Sequence, residues 1–249
     1  MSEAKAEKPG VCLVVGAGPG VGGAIARAFA REGLSVCLTR RPRNLPELET
    51  LAESIRADGG AAHAFGVDAR EEAEMIALVD RIEAEIGPLE VVVFNIGANV
   101  WFPITETTTR VYTKVWEMAA LAGFLTGREA ARVMTPRGKG SILFTGATAS
   151  LRGRAEFSAF SGAKHALRAL AQSMARELGP KGVHVAHVIC DGSIDGTFSR
   201  ERFDDIEQRL ADDTILKPDE VARNYVWLHN QGRSAWTFEL DLRPWTESW

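Results

Sequence analysis

Seven short apolar runs set the frame for this chain: "VCLVV" (11–15), "SVCL" (35–38), "AAHAFG" (61–66), "EVVVF" (90–94), "SILFT" (141–145), "VHVAHVI" (183–189) and, more weakly, "AWTFELDL" (235–242). Stretches with helical patterning lie between them, at 22–31, 45–57, 71–86, 109–134, 159–178 and 218–229. A strand that is apolar on both sides has to be covered on both sides. Strands of this kind alternating with amphipathic helices predict a parallel sheet whose crossovers pack on its two faces. The expected class is α/β: one doubly wound, seven-stranded parallel sheet with helices on both faces. Its crossovers should be right-handed, with ligands beyond the carboxyl ends of the strands.

The length of 249 residues allows one or two domains. With no Pro/Ser-rich linker, low-complexity tract or internal repeat, the reading is one domain over 11–249 behind a flexible tail at 1–10, "MSEAKAEKPG". That tail has no apolar core and does not read as a signal peptide. No apolar run reaches the ~18 residues of a membrane span. The net charge of −4, with basic residues scattered, argues against a nucleic-acid surface. Cys12, Cys37 and Cys190 sit inside apolar runs and read as reduced core thiols, hence a cytoplasmic protein. The five histidines are dispersed, and no metal is expected.

The first strand runs into "GAGPGVGGAIARAFA", where Gly16, Gly20 and Gly22 are spaced G-x-x-x-G-x-G and a helix opens behind them. Such a turn brings backbone N–H groups and a helix N-terminus up to a pyrophosphate without interference from Cβ atoms. Between a first strand and a first helix, it predicts a dinucleotide-binding Rossmann fold. The second strand ends in Thr39, Arg40 and Arg41 rather than the carboxylate that would hold a free ribose hydroxyl. Two guanidinium forks suit a 2′-phosphate, so NADP(H) is the expected cofactor.

With these residues in place, the chain resembles the classical short-chain dehydrogenase/reductase (SDR) family over nearly its whole length. The resemblance gives Gly16, Gly18, Gly20, Val21 and Gly22 to the cofactor turn, with Val15 where a threonine is usual. It gives Asp68 of "FGVDARE" to the adenine, and Asn95 and Gly97 of "FNIGAN" to the segment after the fourth strand. Gly192 and Ile194 of "VICDGSIDGTF" fall in the segment after the sixth strand, with Asp191 replacing a proline. The family draws its proton from a tyrosine and uses a lysine four residues later to lower that phenol's pKa and hold the ribose. A serine about thirteen residues upstream polarises the carbonyl, and a helical asparagine orders a relay water. Here Lys164 matches the lysine, Phe160 stands at the tyrosine, Ala147 at the serine and Ala119 at the asparagine.

The resemblance therefore implies an NADP(H)-dependent oxidoreductase in which Lys164 remains and the tetrad is degenerate. Water, Thr148 or Ser161 can supply the missing proton, although Ser161 points about 100° around the helix from Phe160. The alternative is a catalytically silent NADP(H)-binding scaffold or sensor. Trp101, Phe102, Phe198 and Phe203 follow strand ends and suit an apolar small-molecule substrate. They suit an interface equally, as do Trp236, Trp245 and Trp249. Small residues along 109–134 and on the Phe160 helix, including Ala119, Ala120, Ala122, Ala130, Ala131, Ala163, Ala166 and Ala169, together with the family's habit of pairing these helices, suggest a homodimer or homotetramer.

Overall fold

The structure is a computed structural model that describes residues 8–248; the first seven residues of the expected tail, and Trp249, lie outside the described residues. One all-parallel sheet runs through the molecule in the order β3-β2-β1-β4-β5-β6-β7. The strands are β1 (Val11–Val15), β2 (Ser35–Arg40), β3 (Ala62–Gly66), β4 (Leu89–Phe94), β5 (Ser141–Ala147), β6 (His184–Cys190) and β7 (Glu239–Leu242). The expected architecture is present. β1 is buried along its whole length because helices cover both of its faces.

On one face lie α1 (Val21–Arg31), α2 (Leu45–Ala57) and α9 (Pro218–His229), sharing a core with Val14, Leu38 and Val188. On the other lie α3 (Glu72–Arg81), α5 (Ala122–Met134) and α6 (Ser158–Leu178), packed on Leu13, Phe94 and Phe144. A further helix, α4 (Thr109–Trp116), packs on α6, and the short helices α7 (Thr197–Arg200) and α8 (Ile206–Ala211) fill the excursion between β6 and α9. The strand order turns back between β1 and β4, where Val15 pairs with Phe94. A crevice therefore opens beyond these two strand ends.

The structure corrects three boundaries. The stretch 109–134 is not one α-helix: a π turn, Glu117–Leu121, separates α4 from α5. A second π turn, Ile82–Ile86, closes the stretch that starts at α3. A wide turn adds one residue per turn and re-aims the side chains that follow, which hydrophobic periodicity does not register. The seventh strand covers only Glu239–Leu242, because β7 is an edge strand. It is held by the Arg168 guanidinium, which donates to both Glu239 oxygens at 2.6 and 2.7 Å.

Four of the eight alanines singled out in the sequence are used within the chain, while Ala131 and Ala166 are half-buried and Ala169 is exposed. Ala119, Ala122, Ala130 and Ala163 have no exposed surface and let α4, α5 and α6 approach within the chain. The exposed apolar side chains on the same elements are Tyr112, Trp116, Leu121 and Phe124.

α9 is tied to the sheet by Tyr225, a fully buried side chain whose hydroxyl lies 2.7 Å from Thr145 Oγ1. Tyr225→Phe keeps the ring but strands the threonine hydroxyl in the core. It should cost about 1–2 kcal/mol, read as a lower denaturant midpoint at unchanged m-value.

Candidate functional site

The glycine turn is built by close approach. Gly16 has φ +94°, and a Cβ there would lie 2.8 Å from the Asn95 carbonyl oxygen. A Cβ on Gly22 would lie 2.3 Å from the Gly16 carbonyl oxygen, so the first turn of α1 rests directly on the chain leaving β1. Asn95 locks this arrangement by donating from Nδ2 to the Gly16 carbonyl at 3.2 Å. Its part is to clamp the turn from the neighbouring strand.

Beyond the turn lies a cleft of about 240 Å³ bordered by Gly16, Gly18, Thr39, Arg40, Arg41, Asp68, Asn95 and Gly97. Residues read from four separate sequence segments thus meet around one space. A second lobe of about 260 Å³ continues past Gly18 and Arg40 to Arg27, Glu47 and Ser54. Thr39 borders the cleft, and its hydroxyl is buried behind the wall with no hydrogen-bond partner.

The two arginines differ. Arg40 donates to Glu47 at 2.5 Å, whereas Arg41 makes no ion pair among the described residues. Burial and the neighbouring Arg43 push the Arg41 guanidinium below its usual range, an unfavourable state that an incoming dianion would relieve. Asp68 is gripped by Arg70 through 2.5 and 2.9 Å hydrogen bonds, which hold its carboxyl below the usual carboxylate range.

Gly20, Val21 and Gly22 form the N-terminus of α1, and the open space above Gly20 is where backbone N–H groups can meet an anion. Gly192 and Ile194 stand apart, beyond the end of β6. Ile194 pairs with Leu216 and packs on the core under α9, so its side chain is partly structural.

Lys164 lies in the first half of α6 and is 2% exposed. Its Nζ donates to the Ile96 carbonyl at 3.0 Å, beyond β4, and to the Thr145 carbonyl at 2.8 Å, on β5. An ammonium has three N–H groups, which leaves one for a ligand. Burial pushes its pKa down to about 8. Phe160, one turn earlier and 6% exposed, places its ring centroid 6.0 Å from Lys164 Nζ. From Phe160 a line of aromatic rings leads outward: Phe157 at 6.3 Å, then Trp101 at 6.4 Å, then Phe198 at 5.4 Å. Phe203, which the sequence groups with these, instead carries Arg209 over its ring at 4.3 Å.

Residues 10–207 match the sequence profile of the short chain dehydrogenases. The chain belongs to that family. A short-chain dehydrogenase from Rhodopseudomonas palustris is 48% identical, with a TM-score of 0.81 over 95% of this chain and 99% of its own. A variant actinorhodin polyketide ketoreductase solved with NADPH is 26% identical, with a TM-score of 0.85 over 95% and 96% of the two chains. Among characterised relatives, the cis-4-hydroxycyclohexanecarboxylate dehydrogenase of Sinomonas cyclohexanicum is 29% identical across 94% of both chains.

Short-chain dehydrogenases use nicotinamide cofactors, and the cleft fits one: a glycine cradle and the Arg41 guanidinium share its rim. Among the described residues no cluster suits a metal ion, and no helix is long and apolar enough to cross a membrane.

The sequence reading did not pair Thr148 with Asp191. The Thr148 hydroxyl donates to Asp191 Oδ1, and Asp191 is wholly buried. The available signal was an acidic residue in an otherwise apolar run at a strand end.

The Lys164 geometry sets a pH dependence. The folded pKa, about 8, lies below the usual lysine value of 10.5, so between these limits the unfolded chain binds more protons and stability rises with pH. Lys164→Met should gain over the native protein at neutral pH and lose up to ~3 kcal/mol of that advantage by pH ~10.5. Chemical denaturation of both proteins at neutral and alkaline pH measures the difference.

Proposed function

We propose that this chain is an NADP(H)-dependent oxidoreductase that moves a hydride between nicotinamide and the carbinol or carbonyl carbon of an apolar, ring-bearing small molecule, with Phe160 in the place of the family's tyrosine. The observation that carries the reading is Lys164. It is a buried ammonium with no carboxylate partner among the described residues, held by two carbonyls so that one N–H remains for the cofactor's ribose. The cofactor supplies the hydride chemistry, and the protein binds and orients it. In this reading Gly16, Gly18, Gly20, Val21 and Gly22 receive the pyrophosphate, and Asp68 with Gly97 borders the adenosine. Gly192 and Ile194 lie at the nicotinamide end, and Arg41, assisted by Arg40, takes the 2′-phosphate.

The line of rings from Phe160 to Phe198 supports an apolar substrate. The related dehydrogenase named for cis-4-hydroxycyclohexanecarboxylate, a ring-bearing alcohol that also carries a carboxylate, supports the ring and the carbinol but not the apolar character. We also read the chain as one NADP(H)-binding domain of a cytoplasmic homodimer or homotetramer, on the free buried cysteines and on the exposed Tyr112, Trp116, Leu121 and Phe124. One observation favours a second reading, a cofactor-holding scaffold: Phe160 has no proton to give. General acid–base catalysis is typically worth ~10²–10⁴ in rate, so its loss slows an enzyme without abolishing turnover.

Calorimetry tests the cofactor assignment. NADPH should bind at least ~10-fold tighter than NADH, since a charge-assisted hydrogen bond contributes ~1.5–3 kcal/mol. Arg41→Ala should erase most of that preference, and Arg40→Ala less of it, because Glu47 already engages Arg40. Equal affinities in the native protein would defeat the assignment. Turnover is read by single-turnover NADPH oxidation and NADP⁺ reduction across a panel of cyclic and aryl carbonyl–alcohol pairs. Phe160→Tyr should raise the rate on whichever pair reacts. A panel without reaction, despite tight cofactor binding, would establish the scaffold.

A further inference from the structure

Thr148 and Asp191 are the next residues after Ala147 and Cys190, which face each other at the ends of β5 and β6. They lie at the sheet edge where ligands of this architecture sit. The short turn Thr148–Ser150 packs against α6, the helix that carries Phe160 and Lys164. Asp191 has no exposed surface. Its Oδ1 accepts the Thr148 hydroxyl and lies 3.5 Å from Arg152 Nη2. Its Oδ2 is 3.1 Å from Arg243 Nη2, an ion pair rather than an aligned hydrogen bond. A buried carboxylate is costly, and this one has been given a hydroxyl and two guanidiniums.

The chemistry of the pair has a direction. The Thr148 hydroxyl is the donor to Asp191 Oδ1, so its single proton is committed to Asp191. What the half-buried threonine can still offer a ligand is a lone pair. A carbonyl oxygen finds no donor there; an alcohol O–H finds an acceptor. The other hydroxyls nearby do not compete. Ser150 is wholly buried and accepts from the Ala147 amide, and Ser161 is buried without a hydrogen-bond partner.

We propose that Thr148 binds the reacting hydroxyl of an alcohol substrate and that Asp191 is the positioning residue that keeps it an acceptor, so the site works in the direction of alcohol oxidation. This rests on the oxidoreductase reading above and adds its polarity. In the step, the carbinol C–H bond breaks and its hydride passes to the oxidised nicotinamide. The alcohol O–H proton moves to Thr148 Oγ1 while the threonine's own proton moves to Asp191 Oδ1. The C=O bond forms, the alcohol is oxidised, NADP⁺ is reduced, and the proton leaves later to solvent.

The test is a binding measurement that needs no turnover. Protein saturated with NADP⁺ is titrated with 2,2,2-trifluoroethanol and, separately, with its methyl ether, both followed by ¹⁹F NMR. The two probes share the fluorinated carbon, and only the alcohol has an O–H. The native protein should favour the alcohol about fivefold or more, the contribution of one hydrogen bond. Thr148→Val, which keeps the shape, should abolish the preference, and Thr148→Ser should retain it. Asp191→Asn, whose amide can donate to Thr148, should shrink or reverse it.

NADPH affinity by calorimetry is the control for folding in each variant, and Thr148→Val alone decides the matter if Asp191→Asn fails to fold. For any alcohol that the native protein oxidises, Thr148→Val should lower kcat and also raise KM by about fivefold, the same hydrogen bond lost from substrate binding, and Thr148→Ser should restore both. Equal affinity for the two probes in the native protein, or a preference that survives Thr148→Val, overturns the proposal while leaving the oxidoreductase reading standing. Failure of the native protein to bind NADP⁺ or NADPH removes both.

Discussion

The loop that leaves β4 holds the site together. Asn95 clamps the glycine turn behind β1, and the next residue, Ile96, presents its carbonyl to Lys164, which also grips β5 through Thr145. Two consecutive residues thus connect the turn suited to pyrophosphate with the helix suited to ribose. Both bonds are made at the strand ends where the sheet order reverses, so the topology decides where the cofactor elements meet. A displaced β4 loop would open the glycine turn and release the ammonium together.

The rest of the site is a series of compromises between burial and charge. Arg70 grips Asp68, and Glu47 engages Arg40. These pairs are partly exposed and add little to stability. Their consequence is positional: Arg41, on the rim of the cleft, makes no ion pair among the described residues. Asp191 is the opposite case, wholly buried with its neighbours arranged around it. Removing one partner of such a cluster exposes the full desolvation cost of the others. The end of β6 is therefore a rigid corner, and a rigid corner can aim a hydroxyl.

The sheet was legible in the sequence because coverage on two faces leaves no polar alternation to blur the strands. The glycine turn was legible because its spacing reflects a steric requirement, now visible as the 2.3 Å gap between a Gly22 Cβ and the Gly16 carbonyl. What periodicity missed has local causes. The π turns at Glu117–Leu121 and Ile82–Ile86 leave the composition helical, and the weak run at 235–242 is longer than the short edge strand β7 that forms within it. Ala122, Ala130 and Ala163 are small for close packing inside the chain, whereas Ala169 of α6 is exposed, a division that composition alone does not reveal. Thr148 and Asp191 are 43 positions apart, and only the β5–β6 register brings them together.

Lys164 is the strongest physical argument that the cleft still has a ligand. Its ammonium is stripped of water, and the two carbonyls that receive it replace only part of its hydration. Among the described residues no carboxylate pairs with it: burial pushes the Cys190 thiol up to about 12, so it stays neutral, and the Phe160 ring lies at 6.0 Å, the outer limit of a useful cation–π contact. In a chain that only had to fold, an apolar side chain of similar length would serve this position better. The ammonium is instead held beside the ends of β4 and β5 by two carbonyls with one N–H beyond them, which under the proposed function a polar ligand would take. Phe160 keeps the same corner dry and filled without offering a hydrogen bond. Under the proposed function, cofactor capture and proton transfer would be separable, the lysine serving the first with no phenol beside it.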